Sequence, residues 1–293
     1  MPDINNLNPN SRDEFEQIKA LQDKKDTNFV FLFGRVGAGK TALVASLIYF
    51  LRTYDNYGNL YFDGNDRGKN LANNIKRDIK SGEFPNRTTA GTVTELECIF
   101  KPDSDKPHLK PFKFCFLEMS GEDLVTVSLN VDDLKEVTHN NYQMGRLPDN
   151  INVYFKAGVS MTFILIAEKN ATKDDDELIS SFFDYIHTNH PTFNDSKIIL
   201  VISKWDSNPS WQEVSHFLET KMQETFKFIK GNAATAFSVG TVLKLENGRL
   251  IIKEYNPKPA DRIFQKLYGI ITGEELQVKK PRALDKIAHW LDI

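Results

Sequence analysis

Cysteine is nearly absent: the 293 residues include two, Cys98 and Cys115, each inside an apolar run that reads as a strand. Such scarcity excludes a disulfide-stapled scaffold and a cysteine-rich metal cluster. The pair is expected to be reduced core thiols of a cytoplasmic protein. Long hydrophobic runs are also missing. Nothing approaches the roughly 18 consecutive apolar residues that a membrane-spanning helix needs. The Asn- and Asp-rich start lacks the basic-then-apolar order of a secretion signal. Met-Pro at the start and the lack of a C-terminal Cys give no lipidation motif. Neither sign of charge dominates, with 37 basic against 40 acidic side chains and a net charge of −3. That leaves no field for nucleic acid and no polybasic patch for a membrane. Lys279-Lys280-Pro281-Arg282 is the one tight basic cluster and reads as solvated surface. The six histidines show no metal-ligand spacing, and none pairs with a Cys or Ser as a nucleophile would require. No internal repeat or low-complexity linker divides the chain.

What remains is an ordinary globular composition, 40% hydrophobic and 26% charged, in a chain long enough to bury a sizeable core. Its centre of organisation is the stretch NFVFLFGRVGAGKT, Asn28 to Thr41. Phe29 to Phe33 reads as a buried strand that breaks at Gly34. A helical pattern follows from Thr41, with Leu43, Val44, Leu47, Ile48 and Leu51 on one side. Between them lies G-x-x-x-x-G-K-T, the phosphate-binding loop, in the strand–loop–helix setting that the motif requires. The chemistry dictates these residues. Glycines let backbone N–H groups turn inward around phosphate oxygens, and the helix start adds partial positive charge. The loop Gly34, Arg35, Val36, Gly37, Ala38, Gly39, Lys40 and Thr41 is therefore the candidate phosphate site. Lys40 is placed to reach the β- and γ-phosphates, and Thr41 to offer its hydroxyl to Mg²⁺.

Along the rest of the chain, residues 1–10 read as a tail. Ser11 and Glu14 form a candidate capping box opening a short helix to about Lys25. A polar segment, 55–86, contains a helical pattern from Leu71 to Ile79. Strands are expected at Thr92–Phe100 and Pro111–Leu117, the second running into Glu118-Met119-Ser120-Gly121. Residues 122–158 are polar and irregular, and so long a connection usually carries function. Thr162–Ala167 reads as a buried strand. Lys173 to Glu177 is a charge run that suits a solvated helix start, and its helix extends to about His187. Lys197–Ser203 is the next strand, ending in Ser203-Lys204-Trp205-Asp206. A single long helix, Trp211 to Ile229, is expected before a short strand at Ala233–Ser238. A β-hairpin over Val242–Lys253 would turn at Asn247-Gly248, the preferred pair for a two-residue turn with both φ positive. A helix near Pro259–Ile271 and an amphipathic segment, Pro281–Leu291, follow. The alternating phenylalanines 29, 31 and 33, and 112, 114 and 116, read as core. Strands alternating with helices argue for one α/β domain with a mostly parallel sheet.

The order and spacing of the strand-end loops resembles the small-GTPase and G-protein α-subunit superfamily of P-loop proteins. The resemblance covers about Asn28 to Ile271. The segment ending Gly82-Glu83-Phe84-Pro85, with Thr88-Thr89 after it, is similar to bacterial members called double-GTPase-type proteins. The resemblance implies a Ras-like domain over 28–293, preceded by a tail and short helix, 1–27. It implies a mostly parallel six-stranded sheet flanked by helices, insertions around 55–86 and 122–158, and a C-terminal β-hairpin.

It also implies roles. Thr88 or Thr89 would be the switch ligand to Mg²⁺, with Thr88 preferred, and Arg87 would neutralise transition-state charge. A Thr-rich turn and a surface Arg are the plainer readings. Glu118, in the place of the family's Asp, would hold Mg²⁺ through water, and the Gly121 N–H would reach the γ-phosphate. Glu122 stands where small GTPases carry a water-orienting glutamine. A carboxylate there is repelled by the γ-phosphate when ionised and acts as a base only if its pKa is raised. Ser203, Lys204 and Asp206 correspond to the guanine-reading N/T-K-x-D loop. Asp206 would accept from guanine N1–H and the 2-amino group, both of which adenine lacks. Ser238 and Val239 would supply an N–H to guanine O6. The implied protein is a cytoplasmic, Mg²⁺-dependent GTP/GDP-binding switch with slow hydrolysis, whose ordered loops recruit a protein partner. An ATP-using P-loop enzyme and a nucleotide-stabilised scaffold without turnover remain the competing readings.

Overall fold

The computed structural model describes residues 9–54, 57–62, 66–84, 93–119, 146–205, 209–229 and 234–276. Seven strands form the main sheet: β1 (Thr27–Phe33), β2 (Gly58–Phe62), β3 (Val93–Pro102), β4 (Phe112–Met119), β5 (Ser160–Glu168), β6 (Ile198–Ser203) and β7 (Ala234–Ala236). Their spatial order is β2-β3-β4-β1-β5-β6-β7. From β4 to β7 all neighbours are parallel, whereas β3 runs antiparallel to both β2 and β4. A separate hairpin, β8 (Gly240–Lys244) with β9 (Leu250–Tyr255), follows the sheet. This is the α/β architecture expected, with one strand more than the six anticipated.

Helices α1 (Pro9–Gln22), α2 (Lys40–Thr53), α3 (Asp66–Lys80), α4 (Arg146–Ala157), α5 (Lys173–Asn189), α6 (Trp211–Lys221), α7 (Gln223–Phe226) and α8 (Pro257–Thr272) complete the described residues, apart from a short 3₁₀ turn. The parallel strands read as continuous apolar runs because both faces of the sheet are covered. On one face Val30, Leu32, Phe114, Phe116, Ile164 and Ile166 meet Leu43, Leu47 and Ile48 of α2 and Ile263, Phe264 and Leu267 of α8. On the other, Phe29, Phe31, Phe33, Phe163 and Leu165 meet Leu178, Phe182 and Ile186 of α5 and Val214 and Leu218 of α6. The alternating phenylalanines are thus core residues of opposite layers. Cys98 and Cys115 are buried on opposite faces as well, so they cannot bridge. Burial pushes both thiols up, Cys115 to about 12, which keeps them protonated and inert.

Several expectations are corrected. β2 was unforeseen inside the polar segment 55–86. Leu60 is buried in the core and Phe62 packs against it, while Gly58 lies against Lys101, where a Cβ would come within 2.3 Å of the carbonyl oxygen. The segment 122–158, expected to be irregular, contains α4. Ile151 is buried there, with Tyr154 and Phe155 packed beside the core, and Pro148 sits in the first turn, where a missing N–H is tolerated. α1 begins at Pro9, so Ser11 and Glu14 are inside it rather than capping it. Its Ile18 and Leu21 pack on the second core, and Glu14 pairs with Lys156 of α4.

The helix foreseen over 211–229 breaks at Met222 (φ −134°, ψ 56°). Asp176 of α5 explains the restart: its buried carboxylate accepts from Glu224 N at 3.0 Å and Thr225 N at 2.8 Å. The hairpin turn also differs. Leu245 N donates to the Arg249 oxygen at 2.8 Å and Gly248 N to the Leu245 oxygen at 2.8 Å. Only Gly248 has positive φ, at +80°. The loop therefore has three residues with a left-handed glycine, not a two-residue turn centred on Asn247-Gly248.

Candidate functional site

The parallel strands end on a common edge. Beside β1 the chain order reverses, with β4 on one side and β5 on the other, and open α/β sheets bind ligands at such a point. The loop Gly34–Thr41 leaves β1 there. Gly34 is forced by proximity, since a Cβ on it would lie 2.4 Å from the Ile166 carbonyl oxygen of β5. Gly37 and Gly39 take φ of +82° and +97°, left-handed conformations that glycine adopts without strain. Ala38 N donates to the Arg35 oxygen at 3.1 Å, closing a turn within the loop.

Lys40 is buried at 7% exposure, and its stem passes under the loop. Its Nζ donates to the Gly34 oxygen at 2.7 Å and to the Arg35 oxygen at 3.1 Å. Thr41 follows at the start of α2. The left-handed glycines, the ammonium and the positive end of a 14-residue helix lie together in one loop and the helix after it, a donor set that fits a polyphosphate. Arg35 turns aside instead. Its guanidinium is 3.3 Å from Thr172 Oγ1, with Asp174 and Asp175 oxygens at 3.7 and 3.8 Å. Val36 is exposed at the loop tip.

The second loop leaves β6. Ser203 is buried, and its hydroxyl donates to the Ala38 oxygen at 2.6 Å, so it is committed to the phosphate loop. Lys204 has φ +57°, the single left-handed non-glycine among the described residues, a conformation that costs of order 1 kcal/mol or more. Its Nζ pairs with Glu168 Oε1 at 2.7 Å. Trp205 turns into the core, and its N donates to the Phe237 oxygen at 3.2 Å. Ser238 and Val239 follow β7 and are buried. The Ser238 hydroxyl accepts from Gly240 N at 3.1 Å, and the Val239 oxygen accepts from Asn256 N at 3.0 Å.

The structure therefore brings Gly34–Thr41, Ser203, Lys204, Ser238 and Val239 to one edge. Glu118 belongs to β4, where its backbone is in register with Leu32 of β1. Arg87, Thr88, Thr89, Gly121, Glu122 and Asp206 lie outside the described residues. Among the described residues no group of three or more His, Cys, Asp and Glu could hold a metal, and no helix is long and apolar enough to cross a membrane.

Sequence reasoning missed Glu168 and Lys169, which end β5 and touch the second loop. It also took the run 173–177 as solvated, whereas Thr172 and Asp175 cap α5 reciprocally and Asp176 is buried. The available signal was the position of Glu168 at the end of an apolar strand, as with Gly34 and Ser203.

No protein-family model matches this sequence, and no curated protein matches it. Solved structures do resemble it. One, of the chloroplast translocon components atToc33 and psToc159, is 13% identical, covers 94% of this chain and 96% of that one, and has a TM-score of 0.40. Its description holds dimerization important for their GTPase activity. Another, the signal recognition particle receptor SRb-GTP/SRX complex from Chaetomium thermophilum, is 18% identical, covers 73% and 90%, and has a TM-score of 0.30.

Proposed function

We propose that the chain is a Mg²⁺-dependent GTP-binding protein, a slow GTPase working as a molecular switch in the cytoplasm. One observation carries the reading. A phosphate loop with left-handed Gly37 and Gly39 and a buried Lys40 is hydrogen-bonded, through Ser203, to the loop that would read the base. The two halves of a nucleotide would then be held by one connected element.

In this reading Lys40 balances charge on the β- and γ-phosphates, and the Thr41 hydroxyl holds the metal from the start of α2. Mg²⁺, when bound, would neutralise the phosphate oxygens further. Thr88, or Thr89, would also hold the metal, Glu118 would do so through water, and the Gly121 N–H would reach the γ-phosphate. Asp206 reads the guanine edge, Lys204 covers the ring, and the Ser238-Val239 turn offers N–H to O6. Arg87 would offset transition-state charge. Glu122, as a carboxylate where a neutral amide would orient water, slows hydrolysis. GTP would order 87–89 and 118–123, and a protein effector would read that state by its higher affinity for it. The segment Gly82-Glu83-Phe84-Pro85 with Thr88-Thr89 supports reading the chain as similar to the bacterial double-GTPase-type proteins.

The test is a competition titration with Mg²⁺ using GTP, GDP, ATP and xanthosine triphosphate on wild type and Asp206→Asn. Guanine preference in wild type, moving toward xanthine in the variant, supports the reading. Equal competition by ATP would sink it and leave a P-loop NTPase of another kind.

A further inference from the structure

Glu168, the last residue of β5, and Lys169 after it make three separate contacts with the base-side loop. Lys169 N donates to the Ser203 oxygen at 2.9 Å. Lys169 Nζ lies 5.3 Å from the centre of the Trp205 ring, within cation–π range. Glu168 Oε1 accepts from Lys204 Nζ at 2.7 Å. Strand register explains the convergence, because Glu168 lies directly opposite Ser203 in the β5–β6 pairing. The same carboxylate borders the phosphate loop: a Cβ on Gly37 would sit 3.9 Å from Glu168 Oε1.

We propose that Glu168 is a positioning residue of the nucleotide site, holding Lys204 in its left-handed conformation so that the lysine stem lies across the base seat. The inference rests on the guanine-nucleotide reading above. Lys204 pays a backbone cost to point where it does, and an unrestrained lysine stem would sample many rotamers. The ion pair removes that freedom before the ligand arrives, which is how preorganisation raises affinity. Backbone bonding by Lys169 fixes the strand end that carries Glu168, so the pair is anchored on both sides. When a purine covers Lys204 the pair leaves water, and its attraction grows as the local dielectric falls. Glu168 acts only through Lys204 and touches no reacting atom.

This role separates base from phosphate. A positioning effect on Lys204 alters affinity for nucleotides but not for a ligand that lacks a base. The experiment titrates GTP and inorganic tripolyphosphate, both with Mg²⁺, against wild type, Glu168→Gln, Lys204→Met and the double variant. In Glu168→Gln we expect GTP to bind about fivefold more weakly, a size suited to a half-exposed pair, with tripolyphosphate unchanged. Once Lys204→Met is present, adding Glu168→Gln should change neither ligand further. Parallel losses for both ligands, or a gain that follows phosphate charge, would overturn the proposal in favour of a direct effect on the phosphate loop. Unchanged GTP binding in Glu168→Gln would overturn it while leaving the nucleotide reading intact. Wild type binding tripolyphosphate with no preference among bases would remove both together.

Discussion

Ser203 Oγ donates to the carbonyl oxygen of Ala38 across 2.6 Å and 165 residues of sequence. This one bond ties the end of β6 to the loop leaving β1.

Replacing Ser203 with Ala should therefore act on both halves of the site. The Ala38 carbonyl would be left without its hydroxyl donor in a buried setting, costing about 1–2 kcal/mol. Thermal melting should show that loss. Tripolyphosphate and GTP should both bind more weakly, in contrast to Glu168→Gln. Tripolyphosphate affinity equal to wild type would mean that the bond does not govern the loop.

Lys40→Ala should abolish detectable nucleotide binding while the fold survives. The loss expected is at least about a hundredfold, since a charge-assisted contact to a polyanion goes together with the ammonium that ties down the Gly34 and Arg35 carbonyls. Circular dichroism checks the fold, and displacement of a fluorescent nucleotide checks binding. Retained micromolar affinity would refute the phosphate-loop assignment.

Gly34→Ala tests the close approach of β1 to β5. Its methyl group would stand 2.4 Å from the Ile166 oxygen, backbone against backbone with no flexible side chain to yield. Destabilisation of about 2 kcal/mol or more is expected in a urea titration. A change below about 0.5 kcal/mol would show that the strands part easily there.

Asp176→Ala tests the restart of the helix after Met222. Two N–H groups, the part-buried one of Glu224 and the buried one of Thr225, would lose their acceptor. A loss of about 2–3 kcal/mol follows from leaving such donors unpaired. Limited proteolysis should find new cleavage near residues 222–226, and an uncut junction would count against the restart being held by this carboxylate.

The thiols predict a dependence on pH. Cys98 and Cys115 are raised by burial, Cys115 from 9.0 to about 12. A group held protonated by the fold favours the folded state fully below the unfolded value. That advantage shrinks as pH rises from 9 toward 12, because the unfolded chain loses protons that the folded chain keeps. Stability should fall over that window and fall less in Cys115→Ala. A maleimide should label neither thiol in the native protein at pH 8 and both in urea; native labelling would contradict their burial.

The parts of this molecule that sequence revealed are those whose causes are local. Gly34 to Thr41 carries its chemistry in eight consecutive positions, and β1, β5 and β6 announce themselves because strands covered on both faces must be apolar throughout. Asp176 gave no such sign. It sits in an acidic run that suits a solvated helix start, and only the distant N–H groups of Glu224 and Thr225 make it a buried cap. β2 hid because it is only five residues long inside a polar segment, with Leu60 and Phe62 alone to mark its inner face. Asn247-Gly248 was misleading rather than silent. The pair favours a two-residue turn, but the bond from Leu245 N to the Arg249 oxygen leaves three residues, Glu246 to Gly248, in the loop. Glu168 becomes visible as part of the site only when β5 and β6 lie side by side.

Among the described residues both margins of the main sheet are short strands. The outermost, β2 and β7, have five and three residues, against six to ten in the strands between them. A short margin offers few unpaired backbone groups, and on β2 the Lys101 ammonium also stands 5.2 Å from the exposed Tyr61 ring. Charge beside a short terminal strand discourages another chain from adding to it. In a Phe-rich protein, short margins of this kind leave little backbone on which strand-to-strand aggregation could start.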